Sequence, residues 1–186
     1  MSELDVEALL DDTRRTKEEK LQMIMNVHET ALLRYATRYV NDPNAAQDVV
    51  QDTFIKLYKG WDNGARPTRQ LKSWLFRVTH NNAVDYIRKE SRLRVLHEKH
   101  GEELKSISPL KDKESAERED SMKIALEHID KLKGNERQVL VLRLQEGMSY
   151  RQISEVTGET EGNVGYLLHH AVKKLSQSLK QAGVLS

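Results

Sequence analysis

The stretch EGMSYRQISEVTGETEGNVGYLLHHAVKKL, residues 146–175, carries the strongest fold signal in this chain. Ser149 and Gln152 match a capping box that starts a short helix, and Gly158 is placed to end that helix. Thr160 opens a longer helix in which apolar residues recur at intervals of four, three and four. These residues are Val164, Leu168, Ala171 and Leu175. The pattern predicts a helix-turn-helix, a motif whose second helix can enter the major groove of DNA.

The segment before this motif predicts a helical stretch from near Ser121 to Ile129, a break at Gly134 and Asn135, and then one more helix of the same unit. Asn135 suits its N-cap, with Gln138 at the third position of the helix, and Gly147 suits a left-handed C-cap. Leu140 and Leu144 are four residues apart, so we expect both on the buried face of this helix. The second half of the chain is therefore predicted to form a small helical bundle.

The first half of the chain shows helical periodicity from Leu21 to Val40 and again over residues 46–61. Asp42 and Pro43 suit the cap and the first turn of the second of these helices. A third apolar stripe then meets a run of polar residues at 79–82, where we expect a kink or a loop before a shorter helix. No strand-like alternation of useful length occurs anywhere in the sequence.

Between residues 95 and 121, charged residues, serine, glycine and proline replace the helical periodicity, which is typical of a flexible, solvated linker. The sequence therefore predicts an all-α chain with two small helical domains joined by such a linker. The predicted parts are an N-terminal extension at 1–20, a first domain at 21–94, the linker at 95–121 and a second domain at 122–186.

Composition excludes several classes of function. The 186 residues include no cysteine, which excludes disulfide scaffolds, thiolate nucleophiles and cysteine-ligated metal sites. No apolar run approaches the length of about 18 residues that a membrane span needs. The first residues are acidic, so we expect a cytoplasmic protein without membrane insertion. No phosphate loop or nucleophile–base pair indicates an enzyme, and the seven histidines are scattered, so neither a cofactor nor a metal site is predicted.

The net charge of +1 hides an uneven distribution along the chain. Residues 21–97 and 122–186 carry net charges of +5 and +2, whereas residues 1–20 and 98–121 carry −3 each. Eight basic residues lie between Arg66 and Arg94, against two acidic ones. A basic segment of this kind suits a polyanion, and the alternative on charge alone is a solvated basic face that is balanced elsewhere.

Several stretches carry a resemblance to a known family. Three stretches resemble region two of bacterial sigma factors: DPNAAQDVVQDTFIKLY at 42–58, SWLFRV at 73–78 and NNAVDYIR at 81–88. A further stretch resembles region four: LRLQEGMSYRQI at 142–153, together with Asn163 and Val164. The whole is similar to the extracytoplasmic-function group, which carries only these two regions joined by a linker. The resemblance covers residues 21–94 and 122–180, most of the chain.

The resemblance implies a polymerase-docking face on the second helix and a contact with the minus-ten promoter element in the basic segment. The implied docking residues are Asp48, Gln51, Asp52 and Lys56. The implied minus-ten residues are Arg66, Arg69, Lys72, Arg77, Asn81, Asn82, Arg88, Lys89 and Arg92. Asn81 aligns with a family asparagine that captures a flipped non-template base, since an amide can both donate to and accept from a base edge. From the pattern alone, Trp74 is interpreted as a core residue and His80 as a loop residue.

The second helix of the helix-turn-helix is implied to read the minus-thirty-five element. Here the sequence departs from the family, which commonly has lysine or arginine at the positions of Gly165, Leu167 and His170 and a small hydroxyl residue at Tyr166. The remaining candidate base readers are Glu161, Asn163, Tyr166 and His170. The candidate phosphate contacts are Arg151, Lys173 and Lys174.

These features predict a sigma subunit that binds core RNA polymerase, directs it to promoter DNA and assists melting at the minus-ten element without catalysis of its own. The resemblance also implies an anti-sigma factor as a partner. The alternative is a stand-alone helix-turn-helix transcriptional regulator, which would bind duplex DNA without polymerase.

Overall fold

The computed structural model describes residue 12 and residues 14–62, 70–99 and 127–184 of the chain. Every regular element in these ranges is helical, which confirms the all-α class. The chain divides into two compact units, residues 1–107 and 108–186. The helices are α1 Lys17–Val40, α2 Pro43–Asp62, α3 Leu71–Lys99, α4 Gly134–Leu144, α5 Tyr150–Thr157 and α6 Glu161–Gln181.

In the first unit, α1, α2 and α3 pack against one another. A capping box formed by Thr16 and Glu19 starts α1, and Asn41 ends it in the left-handed conformation, with a φ of 56°. Oδ1 of Asp42 accepts from the backbone N–H of Asn44 at 2.9 Å, so the predicted cap of α2 is confirmed. The core contains apolar residues from all three helices, including Ile24, Leu32, Ala46, Val50, Phe54, Leu75 and Phe76.

The predicted break at residues 79–82 is wrong, because α3 is continuous from Leu71 to Lys99. The polar side chains of this stretch find partners on the neighbouring helices: Thr79 with Thr53, His80 with Tyr35, and Asn82 with Thr53. A buried polar group that is hydrogen-bonded avoids most of the desolvation cost, so the helix does not have to open here. The helix also passes residue 94, where the sequence analysis ended the first domain.

In the second unit, α4, α5 and α6 pack together. Ser149 and Gln152 form the predicted capping box of α5, and Gly158 ends α5 with a φ of 75°. Oγ1 of Thr160 accepts from the backbone N–H of Asn163 and starts α6, so the local signals of the helix-turn-helix are confirmed. The core of this unit contains Val139, Leu140, Leu142, Met148, Ile153, Val156, Val164 and Leu168.

Three details of α4 differ from the prediction. Lys133 rather than Asn135 is the N-cap, since its carbonyl accepts from the backbone N–H of Arg137 at 2.8 Å. It makes no side-chain cap bond, because an ammonium group has no acceptor. Leu144 is 61% exposed, since it is the last residue of α4, where the chain turns towards α5. Gly147 has a φ of 65° but lies beyond Gln145, the C-cap, which is right-handed.

Candidate polymerase and promoter interfaces

The outer face of α2 carries the four predicted docking residues, with Lys56 at its edge. Asp48, Gln51 and Asp52 are exposed, and their spacing of three and four places them on one side of the helix. Two carboxylates and an amide held on a rigid helix can accept hydrogen bonds from a basic partner surface. Lys56 differs from these three, because its ammonium donates to Oδ1 of Asn82 within the unit.

An apolar groove of about 400 Å³ lies between α1 and α2, next to this face. It is lined by Leu21, Met25, Gln51, Phe54, Ile55, Tyr58 and Lys59. The hydroxyl of Tyr58 donates to Oε1 of Glu18 at 2.7 Å, and this bond lowers the pKa of the Glu18 carboxyl. Gln51 belongs to both the groove and the docking face, so the two form one continuous surface. Sequence reasoning missed the groove, although Ile55, which is 47% exposed, lies off the buried stripe and was an available signal.

Four of the predicted minus-ten residues form a single stripe along α3. Arg77, Asn81, Arg88 and Arg92 are all exposed. On a continuous α-helix, positions 77, 81, 88 and 92 fall within about 60° of one another and span about 22 Å. We name these four residues the α3 stripe. A kink at 79–82 would have divided it, so the continuity of α3 is what makes the stripe one surface.

The other predicted minus-ten residues are placed differently. Lys89 is exposed to one side of the α3 stripe, and Lys72 is half-buried on α3. Arg66 and Arg69 lie outside the described residues. Asp85 adds an acidic group near the stripe, with its Oδ1 4.0 Å from Nη1 of Arg88. Because both partners of this pair are solvent-exposed, the contact contributes little and leaves the stripe basic.

The position of Asn82 does not fit its predicted role as a base contact. Its side chain is buried at 9% exposure and engaged on α2: Nδ2 donates to the carbonyl of Val49 at 3.3 Å and to Oγ1 of Thr53 at 3.2 Å. Its Oδ1 accepts from the ammonium of Lys56. Both amide hydrogens and one lone pair of Oδ1 are thus engaged inside the unit, so in this conformation Asn82 is an internal residue rather than an exposed base contact.

Two histidines of the first unit have lowered pKa values; His80 is buried and His28 is half-buried. His80 is buried within α3 rather than lying in a loop, and its Nδ1 is 3.1 Å from the hydroxyl of Tyr35. Burial lowers the pKa of His80 to about 4, and burial together with the charge of Lys72 lowers the pKa of His28 to about 4. Trp74, interpreted from the sequence as a core residue, is half-buried.

On α6, an exposed face lies opposite the buried residues Val164, Leu168 and Ala171. Its centre is Tyr166, which is 61% exposed and whose ring lies 4.3 Å from the ring of His170, centroid to centroid. The predicted readers Glu161 and Asn163 and the predicted phosphate contact Lys173 are exposed too. His169 is also exposed, with its ring centroid 5.8 Å from that of His170, and the sequence analysis did not select it.

Three polar residues near this face already have side-chain partners within the same unit. Nζ of Lys174 lies 2.6 and 2.8 Å from the two carboxylate oxygens of Glu136, a buried residue of α4. Nδ2 of Asn163 donates to Glu159 at 2.6 Å. Nε of Arg151 lies 3.4 Å from Glu155. Lys174 therefore links α6 to α4. Its partner Glu136 is 38 residues away in the sequence, so local sequence patterns could not predict this contact.

At Gly165, where the sequence departs from the expected family pattern, the ring of Tyr150 occupies the adjacent space. A Cβ placed on Gly165 would lie 3.5 Å from Cε2 of that ring. The guanidinium carbon of Arg143 lies 5.6 Å from the centre of the same ring, on the side of α4. The aromatic ring therefore covers the flank of α6 at Gly165.

Within the described ranges, no cluster of three or more histidine, aspartate or glutamate side chains is arranged to hold a metal ion. None of the helices in those ranges is both long enough and apolar enough to cross a membrane.

The sequence matches the Sigma-70 region 2 family over residues 24–93 and the Sigma-70, region 4 family over residues 123–175. It is 31% identical to the RNA polymerase sigma-E factor of Streptomyces avermitilis, covering 84% of this chain and 83% of that protein. It is 29% identical to the ECF RNA polymerase sigma factor SigL of Mycobacterium tuberculosis, covering 88% and 91%.

The fold is similar to that of the sigma factor RpoE from Bartonella quintana, which was solved in complex with the anti-sigma factor NepR. The TM-score is 0.67 at 22% identity, covering 86% of this chain and 96% of that chain. Two sigma regions in the family's order, each on its own helical unit, agree with the identity to the sigma-E relative. The chain therefore belongs to the extracytoplasmic-function group of the RNA polymerase sigma factor family.

Proposed function

We propose that α2 docks this sigma factor onto core RNA polymerase and that α3 and α6 contact promoter DNA. The chain directs core RNA polymerase to specific promoters and assists promoter melting in transcription initiation. The observation that carries the assignment of surfaces is the α3 stripe, in which three arginines flank Asn81 on one continuous helix. Arginines neutralise phosphates, and the amide offers hydrogen bonds to an unstacked base.

Polymerase docking is assigned to Asp48, Gln51 and Asp52, with Lys56 at the edge of the same face. An Asp52→Lys variant reverses one exposed charge and should lower the affinity for core polymerase at least tenfold, with little change in folding, because surface substitutions rarely alter stability. Glu29→Lys is the matched control, since Glu29 is an exposed acid on α1. Equal loss of core affinity in both variants would show that the loss comes from the change in overall charge and not from the α2 face.

Capture of a minus-ten base is assigned to Asn81. Asn81→Ala should reduce promoter opening, followed by permanganate reactivity of unpaired thymines, while core affinity stays unchanged. Ser91→Ala is the matched control, because Ser91 is an exposed polar residue further along α3. Equal loss of opening and of core binding in Asn81→Ala would assign Asn81 to the fold instead.

Contact with the minus-thirty-five element is assigned to the exposed face of α6, with Glu161, Asn163, Tyr166 and His170 towards the bases and Lys173 and Arg151 towards phosphates. This face is aromatic and weakly basic, so we expect a smaller contribution from phosphate neutralisation than a lysine-rich helix would supply. The domains proposed are an extension at 1–20, region two from residue 21, a linker up to residue 121 and region four at 122–186, with α3 carrying region two to Lys99.

The match to both sigma regions favours this function over a stand-alone helix-turn-helix regulator. An electrophoretic shift assay separates the two: a sigma factor shifts a promoter fragment with core polymerase and poorly alone, whereas a stand-alone regulator shifts it without polymerase.

Members of this family are generally not enzymes. We propose that this chain catalyses no reaction, that it acts in the cytoplasm with core polymerase, and that an anti-sigma factor restrains it, as the complex of RpoE with NepR suggests.

A further inference from the structure

A buried polar cluster joins the polymerase-facing helix to the helix that carries Asn81. Oγ1 of Thr53 donates to the carbonyl of Val49 at 2.9 Å and lies 3.1 Å from Oγ1 of Thr79. Asn82 adds two bonds to α2 from its Nδ2, at 3.3 Å to Val49 and at 3.2 Å to Thr53. Its Oδ1 accepts from the ammonium of Lys56. Three residues of α2, one per turn, therefore converge on a single side chain of α3.

The chemistry of an amide fits this place closely. The two acceptors on α2 require two N–H donors, and the ammonium of Lys56 requires an acceptor, which are the groups that one asparagine side chain offers. An aspartate would lose both donors, and a leucine would leave all of the α2 groups without this partner. A shift of α3 that broke these bonds would leave the buried Asn82 amide unpaired, which is costly, so the cluster selects one register of α3 against α2.

That register decides where the preceding residue points. Successive residues of an α-helix are about 100° apart, so a helix that turns Asn82 towards α2 turns Asn81 away from Thr53 and Val49. Asn81 is exposed, whereas Asn82 and Thr79 are buried. A rotation of α3 large enough to bury Asn81 would break every bond from Asn82 to α2.

We propose that Asn82 is a positioning residue for promoter opening: its bonds to Val49, Thr53 and Lys56 hold Asn81 where it can capture the flipped base. The proposal rests on the assigned role of Asn81. It adds a physical link between the two interfaces, because α2 presents Asp48, Gln51 and Asp52 outward and binds Asn82 along an adjoining side, with Lys56 at the edge of the docking face. A polymerase that docks on α2 thereby also places the base-capturing residue.

The test uses holoenzyme assembled from core polymerase and the full chain. Promoter opening is read by permanganate, base capture by the affinity for a single-stranded minus-ten oligonucleotide, and docking by core affinity. Asn82→Leu should lower opening and oligonucleotide affinity about tenfold, the usual size of a coupling between neighbouring groups, with core affinity within about twofold. In an Asn81→Ala background, Asn82→Leu should cause no further loss, because it acts through the residue that is already absent.

A second pair of variants serves if Asn82→Leu folds poorly. Thr53→Val removes the hydroxyl that accepts from Asn82, so it should lower promoter opening. Thr53→Ser keeps this hydroxyl, so its promoter opening should match that of the unchanged chain. Losses from Asn82→Leu and Asn81→Ala that simply add would overturn the proposal and make Asn82 a residue of the fold only. Unchanged opening in Asn81→Ala would remove the assigned role of Asn81 itself, and the positioning proposal with it.

Discussion

Replacing Lys174 with methionine is expected to destabilise the second unit, whereas the same change at Lys173 is expected to weaken promoter binding. Nζ of Lys174 lies 2.6 and 2.8 Å from the carboxylate oxygens of Glu136, whose side chain is only 9% exposed. Lys173 lies on the exposed side of α6. Two lysines that are adjacent in the sequence should therefore give opposite results in the same two assays.

The size of the effect follows from the burial of the two partners. A hydrogen bond to a charged group contributes about 1.5–3 kcal/mol, and removing one partner of a fully buried ion pair costs about 3–5 kcal/mol. Because the Lys174 side chain is 44% exposed, solvent screens its charge and the lower range applies. We expect a loss of about 2 kcal/mol, which raises the opened fraction of this unit roughly 30-fold.

Hydrogen exchange of the full chain, followed by mass spectrometry on peptides from α4 and α6, measures this loss. Lys174→Met should lower the opening free energy of both helices, and a double variant with Glu136→Met should recover much of it, since no buried charge remains. Lys173→Met should leave exchange unchanged but lower promoter affinity and reduce its salt dependence by about one phosphate contact. If Lys174→Met left exchange unchanged and weakened promoter binding instead, the link to Glu136 would be refuted.

Three further predictions concern local features. Gly165→Ala should stabilise α6 by up to about 1 kcal/mol in hydrogen exchange, because it raises helix propensity and its Cβ would meet the Tyr150 ring at an ordinary 3.5 Å. Ser149→Ala should cost α5 about 1 kcal/mol in the same assay, because the capping box is lost. Burial lowers the pKa of His80 from 6.5 to about 4, so between these values the unfolded chain binds more protons and stability falls as the pH falls. His80→Gln should make this fall shallower in urea unfolding followed by tryptophan fluorescence.

Each of these predictions has a control within the chain. Gly158→Ala should destabilise α5 by about 1 kcal/mol, because its φ of 75° is strained for alanine, and a gain there as large as at Gly165 would contradict this explanation. Ser149→Thr keeps a capping hydroxyl and should behave like the unchanged chain. Both tryptophans lie in the unit of His80, and His28 retains its own lowered pKa, so some pH dependence should remain. A slope that His80→Gln leaves unaltered would show that His80 does not contribute to it.

Local features were predictable from the sequence because they depend on residues that are neighbours along the chain. The box at Ser149, the left-handed turn at Gly158 and the caps at Thr160 and Asp42 join residues no more than four positions apart, and each is present. Periodicity also indicated much of the apolar face of the helices, although it placed the exposed Leu144 on the buried face of α4. The order of two sigma-like regions pointed to the family, since those motifs are runs of consecutive residues.

The structure decided which member of an adjacent polar pair faces outward. Asn81 is exposed and Asn82 is held by Thr53, 29 residues away, and Lys174 is held by Glu136, 38 residues away, while Lys173 stays exposed. Thr53 also pairs with Thr79 of α3, and α3 is continuous through residues 79–82, where the sequence indicated a break. Periodicity places a residue on a helix but not opposite a particular partner, because the register between helices is set by the packing of the whole unit. The composition and the caps therefore determined the helices of this protein, and only their packing determined which polar residues remain available to polymerase and promoter.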